Sequence, residues 1–401
     1  MSIPLRVILD DRPLRRTLTG VGNYIAQLLL HLPTYAPDVV VDPFVFQHIR
    51  RRDWRSALAI DTTESDLGNL DDPAAANDSN PADVGGGRKP WWLRRLIQTA
   101  YGSVFRFKTR GRYSLYHEPN HVPIRCDLPT VTTIHDLSVL IHPQWHPADR
   151  VKWYDRDFAA GVKQTRRFLA ASEFTKREMV ERLGIAIGRI HVTYQAPRRA
   201  FRPMPSAQVE SFRRGWGLPR RFFLFVGTLE PRKNVTGLLD AFAMMPEKLR
   251  SDTPLVIAGA WGWKAAQLRE KLAERSLSKH VRLLGYLRDP QLALLYNSCT
   301  ALVWPSFYEG FGLPPLEALA CGAVVIVSNV ASLPEVVGDA GRMLDPYDVS
   351  AWARAMVEAI EPVSAESADS QRQRSLAQVA KFTWAAFIRD TVSGYRAALD
   401  G

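Results

Sequence analysis

The chain has 401 residues, a hydrophobic composition of 46% and a formal net charge of +11, which is enough for two domains with separate cores. Its three cysteines, Cys126, Cys299 and Cys321, contain no CxxC pair and are odd in number, which argues against a disulfide framework and for a reducing compartment. No apolar run reaches the roughly 18 residues of a membrane-spanning helix, and charges follow the first short run too closely for a signal peptide. A cytoplasmic protein is expected.

The first predicted strand, LRVILD, is followed by the loop TLTGVGNY (17–24) and then a helical run. Gly20 and Gly22 let the backbone approach a ligand, and a helix N-terminus favours anions. The third glycine position of a dinucleotide fingerprint holds Ile25, which argues against an oxidoreductase that uses NAD. Alone, the loop fits a structural turn as well as a ligand site.

Charge is unevenly distributed in the region that follows. Residues 56–87 contain seven Asp or Glu and no Lys or Arg, and their composition predicts a flexible loop. Residues 88–112 contain eight basic residues and no acidic one, with Trp, Leu and Phe at helical spacing. Such a basic amphipathic segment favours a membrane surface, although a core-packing helix with a solvated basic side is an equal alternative. No nucleic-acid-binding motif accompanies it.

Residues 117–121 read HEPNH and match the zinc-protease pattern H-E-x-x-H. Pro119 would break a helix between the two histidines, so His117 and His121 cannot share a helical face. The segment instead follows a predicted strand, as His135-Asp136 does. Because ligands bind at the carboxyl ends of parallel strands, these residues are expected at a cleft. For each single histidine, simple packing in the core is the alternative.

Short apolar runs alternate with helical patterns along the chain, most regularly in its second half. This alternation predicts parallel sheets covered on both faces. The predicted strands are LRVILD, VVVDPFVF, YSLYH, TVTTI, RRFLAA and IHVTY in the first half, and FFLFV, LVIAG, VRLLG, ALVW and AVVIV in the second. The clearest helical patterns are Val235 to Met245, Lys264 to Arg275, Asp289 to Asn297 and Leu313 to Cys321.

The segment APRRAFRPMPSAQ (196–208) carries three prolines and marks a domain boundary. We expect an α/β fold with two Rossmann-like domains whose parallel sheets face each other across a cleft. Residues 1–205 form the N-terminal, acceptor-side domain, and residues 206–383 form the C-terminal, donor-binding domain. The terminal helix, 384–401, could belong to either domain.

Two stretches of the second half carry the strongest chemistry. In VGTLEPRKN (226–234), Arg232 and Lys233 stand between a strand and a helix, where they could clamp a diphosphate. In WPSFYEGFGLPPLEALACG (304–322), glycines leave backbone amides bare before a proline-started helix. Glu309 precedes that helix and Glu317 lies about one turn inside it. Neither feature is specific alone, since adjacent cations in a loop are often merely solvated.

Together these motifs resemble the retaining GT-B glycosyltransferases of family 4. Glu309 and Glu317 correspond to the two acids of the E-x7-E signature of that family, and GTLEPRKN resembles its donor-diphosphate loop. TTIHDLSVL (132–140), ASEFTKREMVERLGI (171–185) and SLPEVVG (332–338) resemble further segments of it. The resemblance therefore extends almost from end to end. One departure is Thr228, which stands where many members have an arginine that Arg232 could replace.

The resemblance implies a role for each matched residue. Lys233 and Arg232 would neutralise the donor diphosphate, Glu317 would bond the ribose, and His135 would lie beside the breaking bond. The implied catalytic residues are His135 and Glu309. The implied donor-binding residues are Gly20, Gly22, Arg232, Lys233, Tyr286, Leu287, Gly310, Phe311, Gly312, Leu313 and Glu317. The acceptor-side candidates are His117, Asn120, His121 and Asp136.

The resemblance also implies a reaction: retaining, metal-independent transfer of a sugar, expected to be mannose from GDP-mannose, to a growing or lipid-linked glycan in bacterial polysaccharide biosynthesis. Cations and helix-start amides would stabilise the leaving diphosphate, so no metal or other cofactor is expected. GDP-rhamnose or a UDP-sugar is the alternative donor. A non-enzymatic, membrane-surface protein that binds nucleotide sugars is the alternative of another class. The expected partners are the donor, the glycan acceptor and the inner face of the membrane, through 88–112, but no nucleic acid.

Overall fold

The computed structural model describes residues 4–15, 20–44, 101–362 and 364–400. The loop predicted for 56–87, and residues 88–100 of the basic segment, lie outside the described residues. Within the described part the chain forms two six-stranded parallel sheets with helices packed against them. The predicted α/β fold with two Rossmann-like domains is therefore confirmed.

The N-terminal sheet has the strand order β2-β1-β3-β4-β5-β6, and all of its pairings are parallel. Strands β3 and β4 are buried along their whole length, as expected when helices cover both faces of a parallel sheet. Its strands are β1 (Leu5–Asp10), β2 (Val39–Phe44), β3 (Leu115–Glu118), β4 (Thr130–Ile134), β5 (Thr165–Ala170) and β6 (Ile190–Val192).

The C-terminal sheet has the order β12-β11-β10-β7-β8-β9, again all parallel. Its strands are β7 (Phe223–Val226), β8 (Leu255–Ala258), β9 (Val281–Gly285), β10 (Ala301–Trp304), β11 (Val325–Ser328) and β12 (Arg342–Leu344). Every described strand except β12 falls on a predicted apolar run. Strand β12 has only three residues and begins with an exposed arginine, so no apolar run marks it in the sequence.

Helices lie between successive strands of both sheets, except between β3 and β4, which a loop connects. In chain order they are α1 (Gly20–Tyr35), α2 (101–109), α3 (Ser138–Ile141), α4 (Ala148–Gln164), α5 (Glu173–Leu183), α6 (Ser206–Gly215), α7 (Val235–Met244), α8 (Glu247–Asp252), α9 (Ala266–Ala273), α10 (Arg275–Ser278), α11 (Asp289–Ser298), α12 (Leu313–Ala320), α13 (Leu333–Val337), α14 (Val349–Glu358), α15 (Ala365–Val379) and α16 (Trp384–Asp400). None of the helices in these ranges combines the length and the apolar character needed to cross a bilayer.

The last helix, α16, returns to the N-terminal domain. Phe387, Ile388, Val392 and Tyr395 on this helix share one buried apolar cluster with residues of α1 and β1. Burial of such large side chains stabilises the docking by roughly 1.5–3 kcal/mol each. The chain therefore crosses between the domains twice, once after β6 and once before α16.

The strand order of each sheet reverses beside its first strand, between β1 and β3 and between β7 and β10. In open α/β sheets, ligands bind in the crevice outside the carboxyl ends of the strands at such a reversal. In the C-terminal domain this position brings together the loops that follow β7 and β10. These loops contain the two stretches that carry the strongest sequence signals, 227–234 and 305–312.

Candidate active site between the two domains

The loop after β7 is held rigidly in a shape that presents two cations. A short 3-10 turn, Pro231–Lys233, ends at Asn234, which adopts a left-handed conformation with φ of 53°. The Asn234 amide donates to the carbonyl oxygens of Pro305 and Pro346 at 3.1 and 3.0 Å. Its side-chain oxygen accepts from Gly237 N and caps α7, as asparagine does at helix starts. These bonds fix the backbone that carries Arg232 and Lys233.

Glu309 binds both of these cations. One carboxylate oxygen accepts from Lys233 Nζ at 2.6 Å and from Trp304 Nε1 at 3.1 Å, and the other accepts from Arg232 Nη1 at 3.0 Å. The ammonium also lies 4.6 Å from the centre of the Trp304 ring, which adds a cation–π contact. Burial alone would raise the pKa of Glu309, but Lys233 and Arg232 outweigh it and lower that pKa. Glu309 is therefore an ionised carboxylate in a buried site.

More negative than positive charge surrounds this pair of cations. Arg232 also binds Glu230 at 2.9 Å, and Asp136 lies close enough to stabilise the charged guanidinium. Burial lowers the pKa of Arg232, but the carboxylates of Glu309, Glu230 and Asp136 reverse the effect and raise it. Two cations thus face three carboxylates, so both cations already have counter-ions within the protein.

The segment after Glu309 enters α12 through a tight backbone turn. Gly312 has a φ of 116°, which side chains other than glycine rarely adopt. The Ser332 hydroxyl lies 2.9 Å from the Glu309 carbonyl oxygen and 2.6 Å from that of Phe311, and it donates to this turn. Pro314 and Pro315 have no N–H, so Leu313 supplies the first backbone amide of α12 at the helix N-terminus, where the helix dipole favours an anion.

The glycine after Glu309 touches the N-terminal domain directly. A Cβ on Gly310 would lie 1.9 Å from the His135 carbonyl oxygen and 2.8 Å from Asp136 Cβ. The hydroxyl of Thr175, on α5, lies 3.3 Å from the Gly310 carbonyl oxygen and donates to it. The two most distinctive motifs of the sequence, around His135 and Glu309, therefore pack against each other across the cleft.

His135 and Asp136 are both held in place by hydrogen bonds. His135 Nε2 lies 2.8 Å from the Pro119 carbonyl oxygen, which can only accept, so Nε2 carries a proton. Burial lowers the pKa of His135, so the ring is neutral and its Nδ1 is an acceptor. Asp136 accepts from both the backbone amide and the hydroxyl of Ser138 at 2.8 and 2.6 Å. Despite burial, the nearby Arg232 holds the pKa of Asp136 well below its usual range.

The acceptor-side candidates divide into two groups. His117 is fully buried, and its ring nitrogens bond to Thr133 and Tyr395 at 2.8 Å each. Both nitrogens are thus used inside the core, which fits the alternative of simple packing, and the acceptor role of His117 stays a prediction. His121 and Asn120 are partly exposed, and the His121 ring lies 5.7 Å from that of His135. They remain candidates.

The residues around HEPNH form a strand end, as the sequence analysis predicted. His117 lies in β3, and His121 has a positive φ of 69° beyond it. Across the described ranges, no group of three or more His, Cys, Asp or Glu side chains is arranged to hold a metal ion.

Glu317 lies apart from the cluster around Glu309. It is 2% exposed and accepts from Arg198 Nη2 at 2.7 Å and from the Tyr296 hydroxyl at 3.4 Å. Burial raises the pKa of Glu317 to about 7, against the opposing effect of Arg198. Its role toward a ribose stays a prediction.

The remaining donor-side residues lie at strand and helix ends. Gly20 begins α1 and Gly22 is buried in its first turn. Tyr286 and Leu287 directly follow β9, and Leu287 is almost fully buried. Their assignment to the diphosphate and the nucleobase also stays a prediction.

The sequence analysis did not identify four residues that contact or flank the predicted site residues. Glu230 pairs with Arg232, and its need was foreseeable because two buried cations require counter-ions. The Tyr308 hydroxyl bonds both Glu178 and Leu137 N and so joins the domains beside Glu309. The Tyr24 ring packs edge-on at 5.0 Å from His135. Arg198, in the proline-rich connection, carried no sequence signal. Apart from the Glu230–Arg232 pair, these contacts join segments that lie far apart in the chain.

Comparison with known proteins places the chain in a family. The family "Glycosyltransferase Family 4" matches residues 18–196, and "Glycosyl transferases group 1" matches residues 208–375. The chain is 32% identical to the O-antigen chain mannosyltransferase B of Escherichia coli over 409 aligned residues, covering 98% of this chain and 100% of that protein.

Solved structures share the fold. Sucrose-phosphate synthase from Thermosynechococcus elongatus superposes with a TM-score of 0.70 at 19% identity, over 98% of both chains. The Anabaena protein HepE, solved in complex with UDP-glucose, superposes with a TM-score of 0.65 at 16% identity, over 97% of this chain and 99% of that one. The full-length match to the Escherichia coli protein, together with the two family matches, shows that this chain belongs to the group 1, family 4 glycosyltransferases.

Proposed function

We propose that the enzyme transfers mannose from GDP-mannose, with retention and without a metal, to a lipid-linked or growing bacterial glycan. The observation that carries the proposal is the buried cluster of Arg232, Lys233 and Glu309 against the His135 segment. The choice of mannose follows the name of the full-length relative, an O-antigen chain mannosyltransferase. Membership of the family argues against the alternative of a non-enzymatic binding protein.

The proposed chemistry places the leaving diphosphate at the two cations. When the bond between the sugar C1 and the phosphate oxygen breaks, negative charge develops on the diphosphate. Arg232, Lys233 and the backbone amides that precede Pro314 would stabilise that charge, in a buried site where preorganised charges act strongly. The cost of organising them is met during folding, because Glu309 and Glu230 already hold both cations in position.

The sugar would lie between the two motifs that meet across the cleft. Glu309 is ionised and can accept hydrogen bonds from sugar hydroxyls. Neutral His135 has Nδ1 available as an acceptor, because its Nε2 proton is committed to Pro119. The acceptor would approach from the N-terminal side, past His121 and Asn120. Closure of the domains over this site would exclude water and protect the donor from hydrolysis.

A donor screen tests the proposed donor site. Thermal unfolding is followed with GDP-, UDP-, ADP- and dTDP-sugars, each with and without EDTA. We expect a rise in Tm with GDP-mannose that EDTA does not change, since a ligand that binds only the native state stabilises it. Lys233→Ala should abolish the rise, whereas Lys248→Ala, which removes an exposed lysine, should preserve it.

Each alternative donor gives its own result in the screen. A shift with a UDP-sugar or with GDP-rhamnose alone would replace mannose by that sugar. Sensitivity to EDTA would contradict the metal-free site. The absence of any shift would refute the proposed donor site. Retention is checked separately, by the anomeric configuration of the product in an NMR spectrum, where inversion would refute it.

The acceptor partner is proposed to be presented at an anionic membrane through the basic segment 88–112. Within its described part, Phe107 on α2 is 86% exposed and has Arg106 and Lys108 as neighbours in the chain. An exposed aromatic beside cations suits a lipid headgroup layer. The buried face of the same helix packs Phe105 into an apolar cluster with β1, β2 and β3. The core-packing alternative therefore applies to that face, and the exposed face is the one proposed to meet the membrane.

Vesicle binding tests this partner. Charge reversal of Arg94, Arg95, Arg106 and Lys108, or Phe107→Ser, should reduce co-sedimentation with phosphatidylglycerol vesicles. Loss of about 1 kcal/mol per cation near the surface is expected. Ile187→Ser removes an exposed apolar residue outside this segment and should leave binding unchanged. Unchanged binding in the charge-reversed protein would refute the membrane partner.

A further inference from the structure

The carboxylate of Glu317 is held by a side chain from the connection between the domains. Arg198 lies in segment 193–205, which links β6 to α6. Its guanidinium donates to Glu317 at 2.7 Å and to Asp289, at the start of α11, at 2.6 Å. The same group lies 4.8 Å from the centre of the Phe201 ring. One planar guanidinium thus bridges two carboxylates from two different helices, which a lysine cannot do with the same geometry.

The backbone on both sides of this arginine is anchored. The carbonyl oxygen of Pro197 accepts from Trp384 Nε1 at 3.2 Å, where the second connection between the domains begins. On the other side, Met204 N donates to the Asn297 side chain, which donates in turn to the Arg202 carbonyl oxygen. Arg198 therefore lies in a segment that is anchored on both sides, and its guanidinium holds Glu317 in one orientation.

We propose that Arg198 is a positioning residue for the nucleotide: it orients Glu317 and favours its ionised form, so that the carboxylate accepts hydrogen bonds from the two vicinal hydroxyls of the donor ribose. The inference rests on the proposed donor role of Glu317. A diol presents two donors, and only the ionised carboxylate has acceptor positions without also carrying a proton. A carboxylate has about four lone-pair positions, so the bonds from Arg198 and Tyr296 leave room for the ribose.

The electrostatic surroundings of Glu317 make this dependence strong. Burial raises the pKa of Glu317 to about 7, Arg198 opposes the rise, and Asp289 adds to it. Tyr296, on α11, donates to Glu317, and the thiol of Cys321, directly after α12, lies near Glu317. Arg198 is thus the cation that lowers this pKa. Its removal would leave Glu317 protonated at neutral pH, and the carboxyl would ionise again only at higher pH.

The test compares ribonucleotides with their 2′-deoxy counterparts by calorimetry. The probes are GDP, UDP and ADP with their 2′-deoxy forms, measured at about pH 7 and about pH 9.5. The wild type should bind its preferred ribonucleotide at least about tenfold tighter than the deoxy form, the equivalent of one good hydrogen bond to a charged group. Arg198→Met should lose this discrimination at the lower pH and recover part of it at the higher pH. The control, Arg199→Met, removes the exposed neighbouring arginine and should behave as the wild type.

The ratio of the Kd for the 2′-deoxynucleotide to the Kd for the ribonucleotide distinguishes failure of the donor role of Glu317 from failure of the inference about Arg198. If Glu317→Gln keeps full discrimination, or if the wild type binds none of the nucleotides, the proposed donor role of Glu317 is wrong. If Glu317→Gln loses discrimination but Arg198→Met keeps it at both pH values, the inference about Arg198 is wrong and the donor role stands. Tighter ribonucleotide binding by Arg198→Met would also overturn it, because Arg198 would then compete with the ribose.

A second variant covers the case in which Arg198→Met does not fold. Arg198→Lys keeps the charge but loses the two-pronged geometry. Discrimination intermediate between those of the wild type and Glu317→Gln at about pH 7 supports positioning by Arg198. Unchanged discrimination in Arg198→Lys overturns it.

Discussion

At the scale of single residues, the site is organised around charges that neutralise one another before any ligand arrives. Glu309 is the counter-ion of both Lys233 and Arg232. Removing one partner of a buried ion pair leaves the other uncompensated, which typically costs about 3–5 kcal/mol. In this enzyme the bound diphosphate would be a second anion beside the same cations. Glu309 and the diphosphate would therefore both neutralise Lys233 and Arg232.

The variant Glu309→Gln tests that balance. We expect it to lower the free energy of unfolding by about 3 kcal/mol, since two buried cations lose a counter-ion. GDP should then stabilise the variant more than it stabilises the wild type, because the diphosphate replaces the missing charge. Urea unfolding with and without GDP measures both effects. Glu361→Gln, at an exposed position, is the control, and equal GDP effects in Glu309→Gln and the wild type would contradict the prediction.

A second residue-scale prediction concerns Glu118, the buried carboxyl group of HEPNH, to which the sequence analysis assigned no role. Burial, with a further contribution from Asp10, raises the pKa of Glu118 to about 8, although Arg12 opposes the rise and Tyr116 donates to the carboxylate at 2.6 Å. The folded state therefore keeps a proton that the unfolded state releases at its ordinary, lower pKa. Stability from this group is greatest at low pH and falls as pH rises toward about 8.

The variant Glu118→Gln cannot release that proton. The difference in free energy of unfolding, variant minus wild type, should therefore increase as pH rises from about 5 to about 8, a range set by the two pKa values. Urea unfolding at several pH values measures the difference. Parallel pH profiles for the two proteins would show that Glu118 has an ordinary pKa in the folded state.

At the scale of elements, the turn before α12 and the segment after β4 must touch for the site to form. Gly310 makes this approach possible, because its missing Cβ would overlap the His135 carbonyl oxygen. The two elements belong to different domains, so this contact forms only when the domains pack together.

The variant Gly310→Ala should separate the two elements. We expect a loss of about 1–3 kcal/mol if the contact is kept under strain, the usual cost of overpacking. Sugar transfer should fall by at least about tenfold, because displacement of a positioning contact by about an ångström is costly. Gly188→Ala is the matched control, since nothing lies within 4 Å of the added methyl group. Wild-type transfer by Gly310→Ala would show that the contact is dispensable.

At the scale of the whole molecule, a carboxylate of the C-terminal domain caps a helix of the N-terminal domain and so joins the two domains. Glu335, on α13, accepts from the backbone amides of Glu173 and Phe174 at 3.1 Å each and from the Tyr194 hydroxyl at 2.8 Å. An anion at a helix N-terminus stabilises by up to about 1–2 kcal/mol. This contact persists only while the domains face each other, so it reports on the closed arrangement.

The variant Glu335→Gln should weaken that arrangement. We expect faster amide hydrogen exchange at Glu173 and Phe174, with unchanged protection of the strands in both cores, since only the interdomain cap is lost. Hydrogen exchange followed by mass spectrometry measures it. Glu361→Gln serves again as the exposed control, and unaltered exchange at the start of α5 would contradict the prediction.

Most of the architecture was predictable because it is local. Strands such as Phe223–Val226 are continuous apolar runs. Helix α12 follows Gly312 and has two prolines in its first turn, a position that suits proline. The donor-side motifs were predictable for the same reason: Arg232, Lys233 and Glu309 lie within short segments next to strands that the sequence marks clearly.

What only the tertiary structure decided is which partners these residues meet. His117 follows the same strand-end pattern as His135, yet it is fully buried and its ring bonds to Tyr395, 278 residues away. Arg198 reaches Glu317 across 119 residues, and Glu309 meets Lys233 across 76. The sequence by itself determined the fold, the family and the two motif-bearing loops, since each depends on neighbouring residues. The pairing of charges in the site depends on the packing of distant segments, which periodicity and local composition do not encode.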